Sequence, residues 1–515
     1  MSELIEPVDL IKRMRAGVEH IYAALDRRRD CLPYFGWNPL CDQPAPFARH
    51  TFGGDNPHVT GRFLDALSRC NAIAEMPADQ EADAALAKLL YGSFGPDDFA
   101  YDEMDDQRAA LMHNNREVLL GLMALHQWKH DPDALPRAAR LVRKLEEISQ
   151  KNGEFPGHRF DGNKWQSADD TEGAAPTTSG RMISALLLYY RLSGDEAGIK
   201  LAERFAQTML DRYFTENGAP KKQAGIHLHS IEGTMTGLIE FGLVTCQKHY
   251  VEFGKKMYDV GLRPYRMSTG WAQENIAMYN RGEANNTTDF IETALLLAAA
   301  GWDEYYQDAE RMIRNGLLRY QILDTSWIAV PTQPPPDTDI RTYRDIAERI
   351  RGGFCFATPN GFNSYNTDLT GGSLQGLCET WHNAITEKGG QVRVNLFFSQ
   401  SHEGIDLISH IPREGQLLIS TSRDIDLAVR VPKWAETTEA TLAGKPLPCS
   451  IEGNYLRVGP VLAGSKVEVR FGRGEEFQLT EVVGADSYTT RWICDTVVAI
   501  CPPGKIMPLY LGNVG

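Results

Sequence analysis

Three stretches of the chain, EVLLGLMALHQW (117–128), MISALLLYYRL (182–192) and DFIETALLLAAAG (289–301), carry apolar residues at three- and four-residue spacing. The runs exceed the length of a typical strand and predict buried helices. Each is followed by a breaker and a more amphipathic segment: HDPDALPRAARLVRKLEEI (130–148), SGDEAGIKLAERFAQTML (193–210) and GWDEYYQDAERMIRNGLL (301–318). Charges gathered on one face suit these to outer helices.

Polar clusters stand before the apolar runs. They begin at His58 (HVTGR), His113 (HNNRE), Thr178 (TSGR), His229 (HSIEG), Asn286 (NTT) and Asp368 (DLTGG), with separations of roughly 55, 65, 51, 57 and 82 residues. That period is the length of a helix pair with its loops, the mark of a helical-hairpin repeat. Six such pairs close into an (α/α)6 toroid whose parallel inner helices bring six amino-terminal ends to one face. That face is where a site is expected.

Beyond residue 390 the texture changes. QVRVNLFFSQ, QLLISTSRD, IDLAVRVPKWA, NYLRVG and SKVEVRFG alternate over short runs with turn residues between them, the pattern of an antiparallel β-sandwich. The expected fold is mainly α with a smaller all-β domain: a toroid over 1–390, a sandwich over 391–480, and an extension over 481–515 packing on both. Trp434 is expected against a sheet edge, with a sugar platform as the alternative. The segment VPTQPPPDTDIRTYRD (330–345) is too proline-rich to continue a helix. It reads as a rigid surface loop, with a lid as the alternative.

Composition narrows the partners. The chain has 515 residues, 42% hydrophobic and 23% charged, and a formal net charge of −15. It offers no basic domain or tail for nucleic acid or an anionic membrane. A small neutral or locally recognised ligand is expected, and homo-oligomerisation is left open. The amino terminus lacks the continuous apolar core of a signal peptide, and nothing approaches a membrane span. Nine cysteines without CxxC spacing suggest reduced thiols and a cytoplasmic protein.

The polar clusters carry candidate chemistry. Ser, Thr, Asn and Asp at helix starts can simply cap free N–H groups. Histidine and arginine need another reason. A cation near a helix amino terminus opposes the helix dipole, so Arg62, Arg116 and Arg181 should meet a structural carboxylate or substrate oxygens. His58, His113, His227 and His229 can donate or accept hydrogen bonds near neutral pH, and Asn286 offers both amide functions. Trp271 could stack on a sugar face. The HLHS motif is short for a metal site and lacks a clear third ligand, so no metal is expected there.

Several stretches together resemble a known family. TTDFIETALLLAAAGWDEYYQDAERMIRNGLL, DLTGGSLQGLCETWHNAITEKGGQVRVNLFFSQ, LAVRVPKWA, LRVGPVLAGSKVEVRF and RWICDTVVAICPPGKIMPLY are similar to glycoside hydrolase family 127, the β-L-arabinofuranosidase-like group. The likeness runs from about residue 50 to 510. It implies the toroid-plus-sandwich fold and a zinc held by a glutamate and three cysteines, one of them the nucleophile. The family's Glu-x-Cys motif falls on Glu283-Ala284-Asn285 and its Cys-Cys pair on Asp368-Leu369, before Thr370-Gly371. With the cysteines absent, neither zinc nor any other cofactor is expected; asparagine and aspartate oxygens suit calcium or magnesium better.

The resemblance also puts Asp368 where the family keeps its nucleophile and matches Glu274, in STGWAQEN, to its general acid/base. Two carboxylates are what glycosidic cleavage requires. The simpler readings are that Asp368 caps a helix beginning at Thr370 and that Glu274 pairs with Arg281. The expected function is an intracellular, exo-acting glycoside hydrolase on small oligosaccharides. A uronate lyase or sugar epimerase on the same toroid is one alternative, and a non-catalytic carbohydrate-binding protein the other.

Overall fold

Each polar cluster opens a helix, and the helices alternate between an inner and an outer ring. The computed structural model describes residues 8–50, 56–102, 110–149, 159–161, 164–166 and 175–512; residues 1–7, where the amino-terminal reading began, lie outside them. The principal helices are α1 (Leu10–Ala23), α2 (Asn56–Ile73), α3 (Gln80–Gly92), α4 (Met112–Lys129), α5 (Ala134–Ile148), α6 (Arg181–Ser193), α7 (Glu196–Thr208), α8 (Leu228–Val244), α9 (Lys248–Lys256), α10 (Ala284–Ala299), α11 (Tyr305–Met312) and α12 (Asp368–Ala384). Even-numbered helices form the inner ring. Each packs on the next, and α12 closes the circle against α2. The odd-numbered helices pack outside, and α1 crosses from the start of the chain to cover α12.

Close approach within the ring relies on small residues. Gly61 of α2 and Gly121 of α4 face each other so tightly that a Cβ on Gly121 would stand 2.9 Å from the Gly61 Cα. Side-chain caps occur at some outer helices, whereas α5, α9 and α11 make none. Outer helices α1, α3 and α7 are capped by Asp9, Asp79 and Asp195, whose carboxylates accept from backbone N–H groups at 3.0 Å. Inner helices α4, α6, α8, α10 and α12 make no side-chain cap bond. Capping therefore does not account for their polar clusters. Helix α12 begins at Asp368 itself, and the preceding Thr367 hydroxyl donates to the Tyr34 carbonyl at 2.6 Å.

A feature the sequence pattern did not predict lies over the amino-terminal face. Seven short strands, β1 (Gly36–Asn38), β2 (Phe47–Arg49), β3 (Gln273–Asn275), β4 (Met278–Glu283), β5 (Arg341–Thr342), β6 (Phe356–Thr358) and β7 (Gly361–Asn366), form one sheet in the order β5-β2-β1-β7-β6-β4-β3. At two to six residues each, they are too short to show alternation. Strand β4 runs straight into α10, and β7 ends two residues before α12. The sheet thus delivers side chains to the start of both helices. The proline-rich loop is pinned beside it by Asp337, which accepts from the Tyr343 N–H at 3.0 Å and pairs with Arg28 at 3.3 Å.

A second core follows α12. A five-stranded and a six-stranded sheet enclose Val392, Leu417, Leu427 and Val467. The strand Ile405–Ser409 buries every other residue, as a strand with one face on a core must. Three last strands, Phe477–Val483, Asp486–Ile493 and Thr496–Cys501, return to the ring and add Trp492, Val497 and Ile500 to its core. Asp495 accepts from Arg311 at 2.7 Å and from the Trp434 indole at 2.8 Å. Among the described residues no helix is long and apolar enough to cross a membrane.

Candidate functional site

The amino-terminal ends of the inner helices surround a cavity of about 310 Å³. Helices α2 and α4 contribute His58, Arg62 and His113; the turn before α6 and its first residue give Thr177 and Arg181. His227 and His229 stand at the start of α8, Glu283 immediately precedes α10, and Asp368 opens α12. Glu274, Arg281, Phe356 and Asn366 reach the cavity from the overlying sheet, and Phe35 from just before β1.

Three of the cavity histidines, His58, His227 and His229, are held neutral. His229 Nε2 lies 3.1 Å from Arg62 Nη2, a group that can only donate, so Nε2 is the acceptor. Its Nδ1 then carries the proton and donates to Asp289 Oδ2 at 2.6 Å. Burial, then the charges of Arg181 and Arg62, put His229 well below the ordinary histidine range. Burial also pulls His227 down to about 3 and His58 well below its usual value. His227 Nδ1 contacts the Ser230 hydroxyl at 2.7 Å, and the His58 and His113 rings meet edge-on at 5.5 Å. Asp289 is pushed up to about 7, with burial outweighing the pull of Arg181.

The three arginines find their countercharge in Glu117. This buried carboxylate receives Arg62 at 3.4 Å, Arg116 at 2.5 Å and Arg181 at 3.0 Å. Burial alone would raise its pKa, but Arg116 and Arg62 reverse the sign and hold it well below the carboxylate range. The structural-acid reading thus explains why cations tolerate these helix starts. Arg62 and Arg181 still face the cavity, whereas Arg116 sits behind it in a smaller void.

Three carboxyl groups share the cavity in different surroundings. Glu274 Oε2 pairs with Arg281 Nε at 2.9 Å, and that guanidinium lies 3.8 Å over the Phe356 ring. Asp368 is raised by burial, with Arg62 opposing from 3.9 Å; among the described residues its Oδ1 has no hydrogen-bond partner. Glu283 accepts from Asn285 Nδ2 at 2.8 Å and is pushed up to about 8, by burial first and then by Glu274 and Asp368.

Besides Arg116, two predicted site residues lie outside the cavity. Trp271 is 2% exposed and donates its indole N–H to the Ala357 carbonyl at 2.8 Å, so no ring face is open for a sugar. Asn286 is fully buried and donates to the Gln273 carbonyl at 2.8 Å. Both instead fix the β3–β4 hairpin that carries Glu274 and Glu283. Sequence reasoning missed Asp289, Glu117 and the two phenylalanines. Glu283 entered only through the family resemblance, as the glutamate of the Glu-x-Cys motif, with no carboxyl role beside Glu274 and Asp368.

The family's zinc set does not fit these residues. Positions 283, 285, 368 and 369 supply Glu, Asn, Asp and Leu. No thiol stands in for the missing ones: Cys355 is buried in the ring core, and Cys378 faces Cys70 with sulfurs 3.7 Å apart. Among the described residues no cluster of three or more His, Cys, Asp or Glu is arranged to hold a metal ion.

No family model and no curated protein sequence matches this chain. Solved structures do. A GH127 β-L-arabinofuranosidase from Geobacillus stearothermophilus T6 superposes with a TM-score of 0.57 at 13% identity, covering 85% of this chain and 75% of that one. A second GH127 β-arabinofuranosidase gives 0.62 at 13%, covering 95% and 78%. A sugar epimerase from a ruminal bacterium gives 0.53 at 12%, covering 72% and 97%. At these identities the likeness is one of fold.

Proposed function

We propose that this protein is a carbohydrate-active enzyme, an exo-acting glycoside hydrolase on small intracellular oligosaccharides or glycosides. The observation that carries the reading is the convergence of Glu274, Glu283 and Asp368, in unlike electrostatic surroundings, on one cavity at the inner-helix starts. Environments that push carboxyl pKa values apart assign acid and base roles. Glu274, ion-paired with Arg281 at 2.9 Å, is the carboxylate that attacks the anomeric carbon or activates water. Asp368, whose protonated form burial favours, donates to the leaving oxygen. This exchanges the roles the family resemblance implied. Glu283 is a third carboxyl that keeps its proton near neutrality.

The neutral histidines with Arg62 and Arg181 supply donors and acceptors for sugar hydroxyls, and Phe35 and Phe356 supply apolar contact. The cavity lies at the lower end of the ~300–1,000 Å³ range of ligand pockets, which suits a terminal sugar. The nine cysteines, odd in number and without CxxC spacing, support a cytoplasmic location. The shared fold of proteins named as arabinofuranosidases supports the class.

A glycoside panel tests it: reducing ends should rise with the unmodified protein and fail to rise with Glu274→Gln or Asp368→Asn. Epimerisation is the second reading, favoured by the neutral His229 hydrogen-bonded to Asp289. An isomeric product of unchanged mass without new reducing ends would establish it. Absorbance from a new double bond would instead mark a lyase. A glycan that raises thermal stability uncleaved would mark a binding protein.

A further inference from the structure

We propose that the axis of the helical ring is a water-filled passage joining the cavity to the opposite face of the toroid, and that it resupplies water to the site during turnover. Behind the cavity lies a void of about 40 Å³ that shares Arg62, Arg181 and His229 with it. A further void of about 260 Å³ shares Arg116, Asp289, Glu292 and Gln375 with the middle one. It reaches Arg191, Glu240 and Glu379 near the carboxyl ends of the inner helices. The three spaces follow one line through the ring.

Solvent exposure marks the same line. Within α10 every residue from Ala284 to Ala298 is buried except Glu292 and Leu296. In α12 the partly exposed positions before Thr380 are Asp368, Gly372, Gln375 and Glu379, and in α8 Gly233 and Glu240 repeat at seven residues. Spacings of three, four and seven put each set on one helix face, the face turned to the axis. A dry core would fill such a stripe with apolar side chains. Here acids, an amide and glycines stand among a few apolar residues such as Leu296. Two buried oxygens facing the middle void, Glu117 Oε2 and Asn285 Oδ1, have no protein partner among the described residues. Buried polar atoms of this kind are satisfied by ordered water, and a polar void of this size has room for a few molecules.

Water supply is a real requirement for a site entered from one side. Hydrolysis breaks the bond between the anomeric carbon and the leaving oxygen, adds a water oxygen to that carbon and returns one proton to the leaving oxygen. Each turnover consumes one water. A sugar seated in the cavity stands between the site and its front mouth, so the axial passage becomes the route for replacement. Its neck is Glu292, which accepts from Gln375 Nε2. The supply role rests on the hydrolytic reading above; the passage itself does not.

A crystal structure of the full chain that resolves ordered solvent tests the passage. It should show linked waters running from Asp289 past Glu292 to Glu379; a middle void closed by side chains or empty of water would overturn the proposal. Kinetics test the supply. Glu292→Met should lower kcat about tenfold on a cleaved glycoside, leave KM unchanged and hold or raise Tm, whereas Glu292→Gln should keep kcat within about twofold. Parental kcat in Glu292→Met, or a rise in KM alone, would overturn the role. Failure of the hydrolytic reading would show separately, as absence of cleavage by the unmodified protein.

Discussion

His229 Nδ1 lies 2.6 Å from Asp289 Oδ2, between helices that start 56 residues apart. Because Arg62 occupies the opposite ring nitrogen, the acid fixes both the tautomer and the plane of the imidazole. Asp289→Asn should leave the fold intact and lower kcat/KM about 10²-fold, ~2.7 kcal/mol of barrier, through loss of that orientation. Steady-state kinetics beside a melting curve check it, since a purely structural role would move the melting curve first.

Glu283 ties stability to pH. Its folded pKa of about 8 stands above the ordinary value of 4.5, so between those values the folded chain holds a proton that the unfolded chain has lost. Its contribution to stability is fully present below about 4.5 and declines as pH rises to about 8, by at most ~1.4 kcal/mol per pH unit. Glu283→Gln should remove that slope and melt relatively higher at pH 9 than at pH 5. Thermal scans of both proteins across this range read the difference.

His227 works in the opposite sense. Its folded value of about 3 lies below the ordinary 6.5, so the unfolded chain gains a proton first as pH falls. Its contribution is complete above about 6.5 and is lost as pH falls toward 3. His227→Gln should blunt acid denaturation in that window, measured as the urea midpoint at pH 7 against pH 4.5.

Glu117 holds the arginine cluster together. Glu117→Gln leaves three guanidinium groups facing one another without their shared anion, and removing one partner of a buried ionic set costs about 3–5 kcal/mol. Equilibrium unfolding in urea should show a fall of that order. A change near zero would mean that the arginines find other partners.

Much of the ring was legible in the chain. The runs of α4, α6 and α10 are long and apolar enough to exclude strands, and the polar clusters mark where inner helices begin. The long last interval, from Asn286 to Asp368, is filled by the proline-rich loop and by β5–β7, whose shortness hid them. The packing of α1 on α12 was hidden because it joins opposite ends of the sequence. The pairing of Glu274 with Arg281 was foreseeable from proximity, but the direction in which the hairpin faces was not; for that reason Trp271 looked like a sugar platform rather than the anchor it is. Asp289 was lost in an apolar run, where one acid looks incidental until its neighbour across the ring is known.

The claim that sugars bind where the inner helices begin is tested most directly by a crystal structure of Asp368→Asn soaked with a glycoside that the unmodified protein cleaves. The account predicts the terminal sugar in the cavity, its glycosidic oxygen beside residue 368, its anomeric carbon facing Glu274 and its hydroxyls bonded to His229 and Arg62. A sugar bound elsewhere, with Glu274 and residue 368 untouched, would contradict it.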